Sequence, residues 1–487
     1  MADELTPETP ESDEEPIKQR KNGLYQGVSD ELAENMKSGW ADTELRDLRP
    51  IAQAAHTAAR RAALSARFPG ERLVVPAGNL KTRANDTEYG FRAATEYAYL
   101  TGNQTEDGVL VLEPRKGGEG HDATLYLLPR SDRENGEFWL SGQGELWVGR
   151  RHSLTEAATL YGIPTDDVRE LPTRLAEATG PVRVVRGYDA GVEKALTDKV
   201  TAERDEELRV FLSEARLVKD DFEIAELEKA CASTARGFED VVKVLDKAEA
   251  TSERYIEGTF FLRARVEGND VGYGSICAAG PHACTLHWVR NDGPVRPGDL
   301  LLLDAGVETN ELYTADVTRT LPISGTFTDL QRKIYDAVYE AQEAGIAAVK
   351  PGAAFRDFHD AAQRVLAEKL VEWGLLEGPV ERVLELGLQR RWTLHGTGHM
   401  LGMDVHDCAA ARTEAYVGGT LEPGMCLTVE PGLYFQADDL TVPEEYRGIG
   451  VRIEDDILVT EDGNRNLSEA LPRRSDEVEA WMAGLKG

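Results

Sequence analysis

The chain has 487 residues, room for two or three domains with buried cores, and 55 Lys plus Arg against 87 Asp plus Glu leave a formal net charge of −32 at pH 7. So acidic a balance excludes a role resting on electrostatic attraction to nucleic acid or to an anionic membrane. Five cysteines without CxxC spacing indicate neither a disulfide framework nor a sulfur-rich zinc module, no apolar run is long enough to span a bilayer, and the opening residues lack the basic-then-apolar order of a signal peptide.

A reduced cytoplasmic setting is therefore expected, with no nucleic-acid or membrane partner. Residues 1–22 carry seven carboxylates and three prolines with almost nothing to bury, and are expected to form a disordered acidic tail. From 40 to 205, a helical stretch at 52–68 precedes β-rich runs at 71–78, 109–114, 123–129 and 180–185, an alternation that predicts an α/β N-terminal domain. A charged connector follows at 206–222. The apolar spacing of Ile224, Leu227, Cys231, Phe238, Val241 and Leu245 then predicts a helix over 223–248, behind Asp220 and Asp221 as N-caps, opening a second domain at 223–480. Within it, strands are predicted at 300–306, 315–323, 425–430 and 450–459. One helix opens at Thr328 with Gln331 completing a capping box, and another runs from 355 to 373 and stops at Gly374. Strands and helices fall in separate runs, an α+β layout.

No phosphate loop, dinucleotide fingerprint, nucleophile elbow or HExxH motif is present. What stands out is a set of carboxylates at or near the ends of apolar strands: Asp304 in LLLLDAG, Asp316 in ADVTRTLPI, Glu430 in MCLTVEPG and Glu454 in VRIEDD. Alternation in GVRIEDDILV puts Val451, Ile453 and Ile457 on one face and Arg452, Glu454 and Asp456 on the other; with both faces covered, those charges need partners. Six of nine histidines lie between His282 and His406, three of them (His395, His399, His406) in HGTGHMLGMDVHD. There Gly396, Gly398 and Gly402 allow close backbone approach to something bound. Carboxylates with imidazole and no sulfur suit one or two divalent ions such as manganese, cobalt or zinc. His282 and His359 read as surface or core histidines.

The ordered series Asp304, Asp316, His399, Glu430, Glu454 resembles the five-ligand dinuclear site of the pita-bread metallopeptidases, a group that includes methionine aminopeptidase, prolidase and aminopeptidase P. LLLDAGVE, HGTGHMLGMDVHD, LEPGMCLTVEPGLY and YRGIGVRIEDDILVTEDGNRNLS resemble the bacterial aminopeptidase P family, as do FRAATEYAYLTGN and LWVGRR upstream. The Asp304 to Asp316 interval is one residue longer than that family's pattern, in the ETNELYT turn. The resemblance implies a pita-bread catalytic domain behind an α/β N-terminal domain, in a homodimer or homotetramer. It implies two divalent ions, manganese first and cobalt or zinc as alternatives. Asp304 would hold one ion, His399 and Glu430 the other, and Asp316 and Glu454 would bridge them. Glu430 would carry the proton, while His287 and His406 would steady the substrate carbonyl. His395 and Arg452 would stand beside the metal site and contact substrate, and Tyr273, His287, Val405, His406, Tyr434 and Arg452 would receive a proline ring. The implied reaction removes one residue from the N-terminus of peptides with proline second; prolidase, acting on Xaa-Pro dipeptides, and a non-catalytic binding module are the alternatives.

Overall fold

The computed structural model describes residues 29–117 and 119–486; the acidic tail expected at 1–22 lies outside the described residues. The chain divides after Leu208 into two compact units. The helix Ala202–Glu214 occupies the first part of the expected connector. Among the described residues, no helix is long and apolar enough to cross a membrane.

The first unit is built on a five-stranded mixed sheet. Helix α1 (Ala54–Arg67) precedes strand β1 (Arg72–Pro76), helix α2 (Thr95–Thr101) follows it, and β2 (Val109–Pro114), β3 (His121–Leu127), β4 (Thr165–Asp167) and β5 (Val182–Val184) complete the order β4-β3-β2-β1-β5. Strands β1, β2 and β3 pair antiparallel, while β5 and β4 join the two sides in parallel. Leu73, Val74 and Val75 are all buried, so both faces of β1, an interior strand, are covered, as a mixed α/β sheet requires. Arg60 and Arg61 of α1 donate to the carbonyls of Tyr99 and Leu100 at the C-terminal end of α2, where a cation also suits the helix dipole.

In the second unit, helix α3 (Asp221–Val242) starts with a capping box: Asp220 accepts from the Phe222 and Glu223 N–H groups while Glu223 accepts from the Asp220 N–H. The helix expected to reach 248 ends at Val242. Val244 leaves helical backbone space at φ −121°, and the short helix α4 (Leu245–Glu249) resumes, burying Leu245 and Ala248. After α5 (Glu253–Glu267), strands β6 (Ile276–Ala279), β7 (Leu300–Ala305) and β8 (Val317–Pro322) form an antiparallel sheet in the order β8-β7-β6, its register placing Asp304 opposite both Thr318 and Ile276. Helices α6 (Asp329–Ala348) and α7 (Asp357–Glu372) pack on each other; Ile334, Val338 and Ala341 of the first share a core with Ala362, Leu366 and Leu370 of the second. The expected capping box of Thr328 and Gln331 is present. Helix α8 (Val380–Leu386) follows, then β9 (Cys426–Val429), β10 (Gly432–Phe435), β11 (Ile449–Arg452), β12 (Asp455–Val459), β13 (Asn464–Asn466) and α9 (Ser475–Lys486).

The single strand expected at 450–459 is two. Strand β11 pairs with β10 and β12 pairs with β9, so the chain changes sheets across Ile453 and Glu454. At that crossing Glu454 bridges to Thr318 of β8. Arg319, on the same strand and fully buried, fastens the crossing with all five of its donors. Its Nε donates to the Pro472 carbonyl (2.9 Å), Nη1 to those of Thr318 (2.9 Å) and Glu454 (2.6 Å), and Nη2 to Asp455 Oδ1 (2.8 Å) and the Leu471 carbonyl (2.9 Å). Replacing it takes the closest cation from the buried Asp455 carboxylate and the guanidinium donor from four carbonyls. Arg319→Met is expected to destabilise this unit by about 3–5 kcal/mol, read as a lower urea midpoint with an unchanged slope; a midpoint within error of the native chain's would contradict the brace.

Candidate active site

The antiparallel sheet, the histidine loop at 395–407 and the β11–β12 crossing bring the sequence-selected side chains to one cavity of about 470 Å³, lined by Tyr273, His287, Asp304, Asp316, His395, His399, Val405, His406, Glu430, Arg452 and Glu454 among others. Tyr434 stands behind this wall and reaches it through its hydroxyl, which accepts from Arg452 Nη1 (3.0 Å) and meets His395 Nε2 (2.8 Å). His395 Nδ1 lies 2.6 Å from its acceptor, the Gly396 carbonyl, so a neutral ring receives the tyrosine proton at Nε2. Burial, with the Arg452 charge adding to it, pushes the His395 imidazole down to about 4, consistent with that neutral form.

Each carboxylate is aimed by a neighbour. Tyr273 donates its hydroxyl to Asp304 Oδ1 (2.7 Å), and Arg452 Nη2 donates to Oδ2 (2.5 Å). Thr318 Oγ1 donates to Glu454 Oε2 (2.6 Å). Asp316 is held by its backbone N–H, which donates to Asp456 Oδ2 (3.1 Å), and Glu430 by its own, which donates to the Thr397 carbonyl (2.8 Å). His399 Nδ1 lies 3.1 Å from the Met400 carbonyl, leaving Nε2 directed at Asp316 (3.3 Å) and Glu430 (3.7 Å). That is how metal-ligating imidazoles are oriented, one nitrogen on a backbone acceptor and the other offered to the ion. The His406 ring meets the His399 ring edge to face at 4.4 Å, and no hydrogen bond fixes the His287 ring among the described residues.

Gathering four carboxylates here has an electrostatic cost. Burial pushes the Glu430 carboxyl up to about 7 against the pull of His399 and Arg452, and burial and the neighbouring acids raise Glu454 well above the carboxylate range. Asp304 is raised by burial too, although Arg452 opposes it. For His399, burial works downward, but the Asp316 hydrogen bond and charge outweigh it and lift the ring to about 9. Divalent cations relieve this repulsion, and the donor set of oxygens and one imidazole nitrogen fits them. Donor atoms of Asp316, His399 and Glu454 lie within 4.8 Å of one another, close to the spread of ligands about 2.0–2.2 Å from a common ion.

One reading of the sequence changes here. The glycines of HGTGHMLG make room chiefly for the protein itself. A Cβ on Gly398 would sit 1.9 Å from the Thr428 carbonyl oxygen and one on Gly402 2.1 Å from Asp407 Oδ2, whereas one on Gly396 would meet only the Gly398 carbonyl oxygen, at 4.0 Å. The long ETNELYT interval closes as a turn in which Leu312, buried, takes a left-handed φ of 67° and donates its N–H to the Thr309 carbonyl. Sequence reasoning passed over Thr318, which aims Glu454, and the Arg319–Asp455 pair beneath it. A threonine–arginine–threonine run inside an otherwise apolar strand was the available signal. His282, read as structural, is so: it stacks on Trp288 and bonds to buried Glu253.

Residues 225–461 match metallopeptidase family M24, and residues 57–184 match the aminopeptidase P N-terminal domain. The chain is 86% identical to "Xaa-Pro aminopeptidase 1" of Streptomyces coelicolor over the whole of both chains. It is 67% identical to that organism's "Xaa-Pro aminopeptidase 2", covering 96% of this chain and 99% of the other. The solved structure of aminopeptidase P from E. coli with the inhibitor Pro-Leu is similar with a TM-score of 0.80 at 31% identity, over 90% of this chain and 99% of that one. The fold and the site define a pita-bread metallopeptidase. The chain belongs to metallopeptidase family M24, among the aminopeptidase P members that carry this N-terminal domain, and so to enzymes that use divalent metal ions and act on peptides.

Metal should therefore stabilise the folded chain. A ligand at a hundred times its Kd adds about 2.7 kcal/mol, which for a unit of this size raises Tm by roughly 5–10 °C. Divalent metal added after chelation is expected to produce such a rise, and Glu454→Gln and Asp316→Asn to remove most of it. Equal shifts in both variants and the native chain would place the binding elsewhere.

Proposed function

We propose that this chain is a metalloaminopeptidase that releases the N-terminal residue from peptides whose second residue is proline, working with two divalent ions, manganese by preference. The observation that carries the reading is the joining of two features in one cavity: a five-residue donor set, and beside it a wall of His287, Val405, His406, Arg452 and, through its hydroxyl, Tyr434.

Asp304, Asp316, His399, Glu430 and Glu454 would hold the ions, with Asp316 and Glu454 shared between them. When bound, such ions polarise a carbonyl oxygen and lower the pKa of water, supplying a nucleophile at neutral pH. The protein's own groups do the rest. An Xaa-Pro bond has no N–H and its ring locks φ, so a main-chain grip cannot select it; a shaped wall of imidazole, aliphatic and phenol surface can. The leaving prolyl nitrogen is a secondary amine that must gain a proton. Glu430, on the cavity wall with Oε1 3.7 Å from His399 and Oε2 3.6 Å from His395, is the carboxylate placed to take up that proton and deliver it. His406, whose imidazole burial holds below its ordinary value, and His287, both on the cavity wall, offer an N–H to the substrate carbonyl as negative charge develops there. The neutral His395, Tyr434 and Arg452 chain keeps the guanidinium pointed at Asp304 and fixes one side of the wall.

We further infer a homodimer or homotetramer, supported by Leu140, Leu146, Trp147 and Val148 standing exposed on the first unit. A cytoplasmic location is supported by five cysteines that are all free and buried. Light scattering at micromolar concentration is expected to give two or four times the chain mass; a stable, fully active monomer would refute the assembly.

With manganese present, a peptide Xaa-Pro-Xaa is expected to lose its first residue. N-acetylation or alanine in place of proline should lower kcat/KM by a hundredfold or more. Cleavage confined to the Xaa-Pro dipeptide would move the assignment to prolidase, and equal cleavage of the alanine peptide would remove the proline selectivity.

A further inference from the structure

Next to the site, and sharing His395 and Gly396 with it, lies a larger cavity of about 910 Å³ formed by α7, α8 and the segment leading into the histidine loop. Its volume is that of a site for a ligand of several residues rather than for a single side chain. Three arginines, Arg356, Arg364 and Arg390, line it, against two acids, Asp360 and Glu385. Glu385 is already paired with Arg382 at 2.7 Å, and Arg364 lies 3.4 Å from Glu381. Arg356 and Arg390 make no ion pair among the described residues. In a chain with 87 acidic and 55 basic residues, a counter-charge for each would have been easy to place.

Both guanidiniums belong to the lining of the same cavity. Both act on one wall residue, His359, whose imidazole burial depresses, with Arg356 and Arg390 adding to that and Asp360 opposing it. His359 is itself fixed by Thr397 Oγ1 at 2.9 Å from its Nδ1. Gln389 also lines the cavity; it is 5% exposed, and its Oε1 has no hydrogen-bond partner among the described residues, so a main-chain N–H would suit it. Unpaired guanidiniums over an amide acceptor and the apolar edges of Leu386 and Leu394 are the means of binding a peptide segment that carries a carboxylate.

We propose that this cavity is a subsite for the peptide beyond the proline, in which Arg356 and Arg390 bind a carboxylate, a role that rests on the chain's cleaving Xaa-Pro peptides. The carboxylate has two sources, the substrate's own C-terminus or an Asp or Glu side chain downstream of the proline. The arrangement also orients the substrate: its ammonium end belongs at the carboxylate floor of the site, and its anionic end is drawn to the adjoining arginines. An extended chain advances about 3.3–3.6 Å per residue, so substrate length decides whether a terminal carboxylate arrives.

The test uses the manganese-loaded enzyme and peptides Xaa-Pro-(Ala)n with n from one to four, each as free acid and as C-terminal amide. Amidated peptides with Glu or Gln at one downstream position form a second set. At the best length the free acid is expected to show a KM three- to tenfold below its amide at low salt, the gap narrowing as salt is added. Arg356→Ala/Arg390→Ala should erase the gap by raising the KM of the acid, with kcat unmoved, and Arg390→Glu should turn the preference towards the amide. Both arginines are exposed, so these substitutions spare the core. A gap in the Glu/Gln set assigns the side-chain source; a gap only in the acid/amide set assigns the terminus. No gap in either set at any length, or a gap that survives both variants, overturns the subsite while leaving proline-directed cleavage intact. Failure to cleave any Xaa-Pro peptide, acid or amide, overturns the peptidase reading and the subsite with it.

Discussion

Four carboxylates gathered on the wall of one cavity, three of them buried and the fourth half-buried, set the terms for the rest of the catalytic unit. Left to relax, such groups would move apart or protonate, since like charges in a low-dielectric interior repel far more strongly than in water. The fold meets this by giving none of them freedom to move. Asp304 sits within a strand of a three-stranded sheet, Asp316 and Glu430 each depend on a backbone N–H bond, and Glu454 lies at the crossing between two sheets where Thr318 and Arg319 hold it from two sides. Among the described residues, Arg452 is the guanidinium that donates to one of these four carboxylates, that of Asp304, and it is itself tied to Tyr434.

The same demand explains the buried charge deeper in the unit. Arg319 and Asp455 form an ion pair at 2.8 Å away from the cavity, and Gln342 and Ser468 complete the Asp455 carboxylate. A hydrophobic pair of similar volume would cost less desolvation, but it would not bind the Thr318 and Glu454 carbonyls in a defined geometry. A second buried cluster does the corresponding task for the histidine loop. Arg216 donates to Asp407 at 2.9 Å and Lys219 lies 3.5 Å from it; burial alone would raise the Asp407 carboxyl, but these two cations hold it below its ordinary value. Because Asp407 follows His406, and because Gly402 leaves space for its carboxylate, the loop that presents three histidines is anchored at its far end by charge and at its middle by close packing.

Charge also divides the labour between neighbouring cavities. One is walled by carboxylates and imidazoles and suits cations; the next, through the shared His395, carries the unpaired arginines. A short peptide has the same polarity along its length, positive at the amino end and negative at the carboxyl end. The exposed setting of Arg356 and Arg390 means that their attraction is screened by salt, which favours selection among substrates over tight retention of any one.

Much of this was legible in the linear sequence. Strands in LLLLDAG and MCLTVEPG, the Thr328 capping box and the carboxylates at strand ends follow from local propensity and from the oddity of a charge in an apolar run, and such signals need no knowledge of the rest of the chain. The four carboxylates could be selected because each breaks a pattern where it stands; choosing His399 from three histidines to complete a set of five rested on the resemblance to the pita-bread metallopeptidases. What the linear sequence did not carry was the partition of GVRIEDDILV into two strands in two sheets. Alternation reads only the period of a strand, and the break at Ile453 and Glu454 is decided by which strands, β10 and β9, are available to pair. Nor did it carry the reason for the glycines at 398 and 402, which answer to Thr428 and Asp407. The Arg319 network was likewise hidden, since its acceptors come from residues more than a hundred positions away, apart from its own neighbour Thr318. Residue type and local order therefore determined which side chains could do the chemistry; only the packing of distant segments decided which groups surround them, because burial and hydrogen-bond partners are properties of the folded neighbourhood.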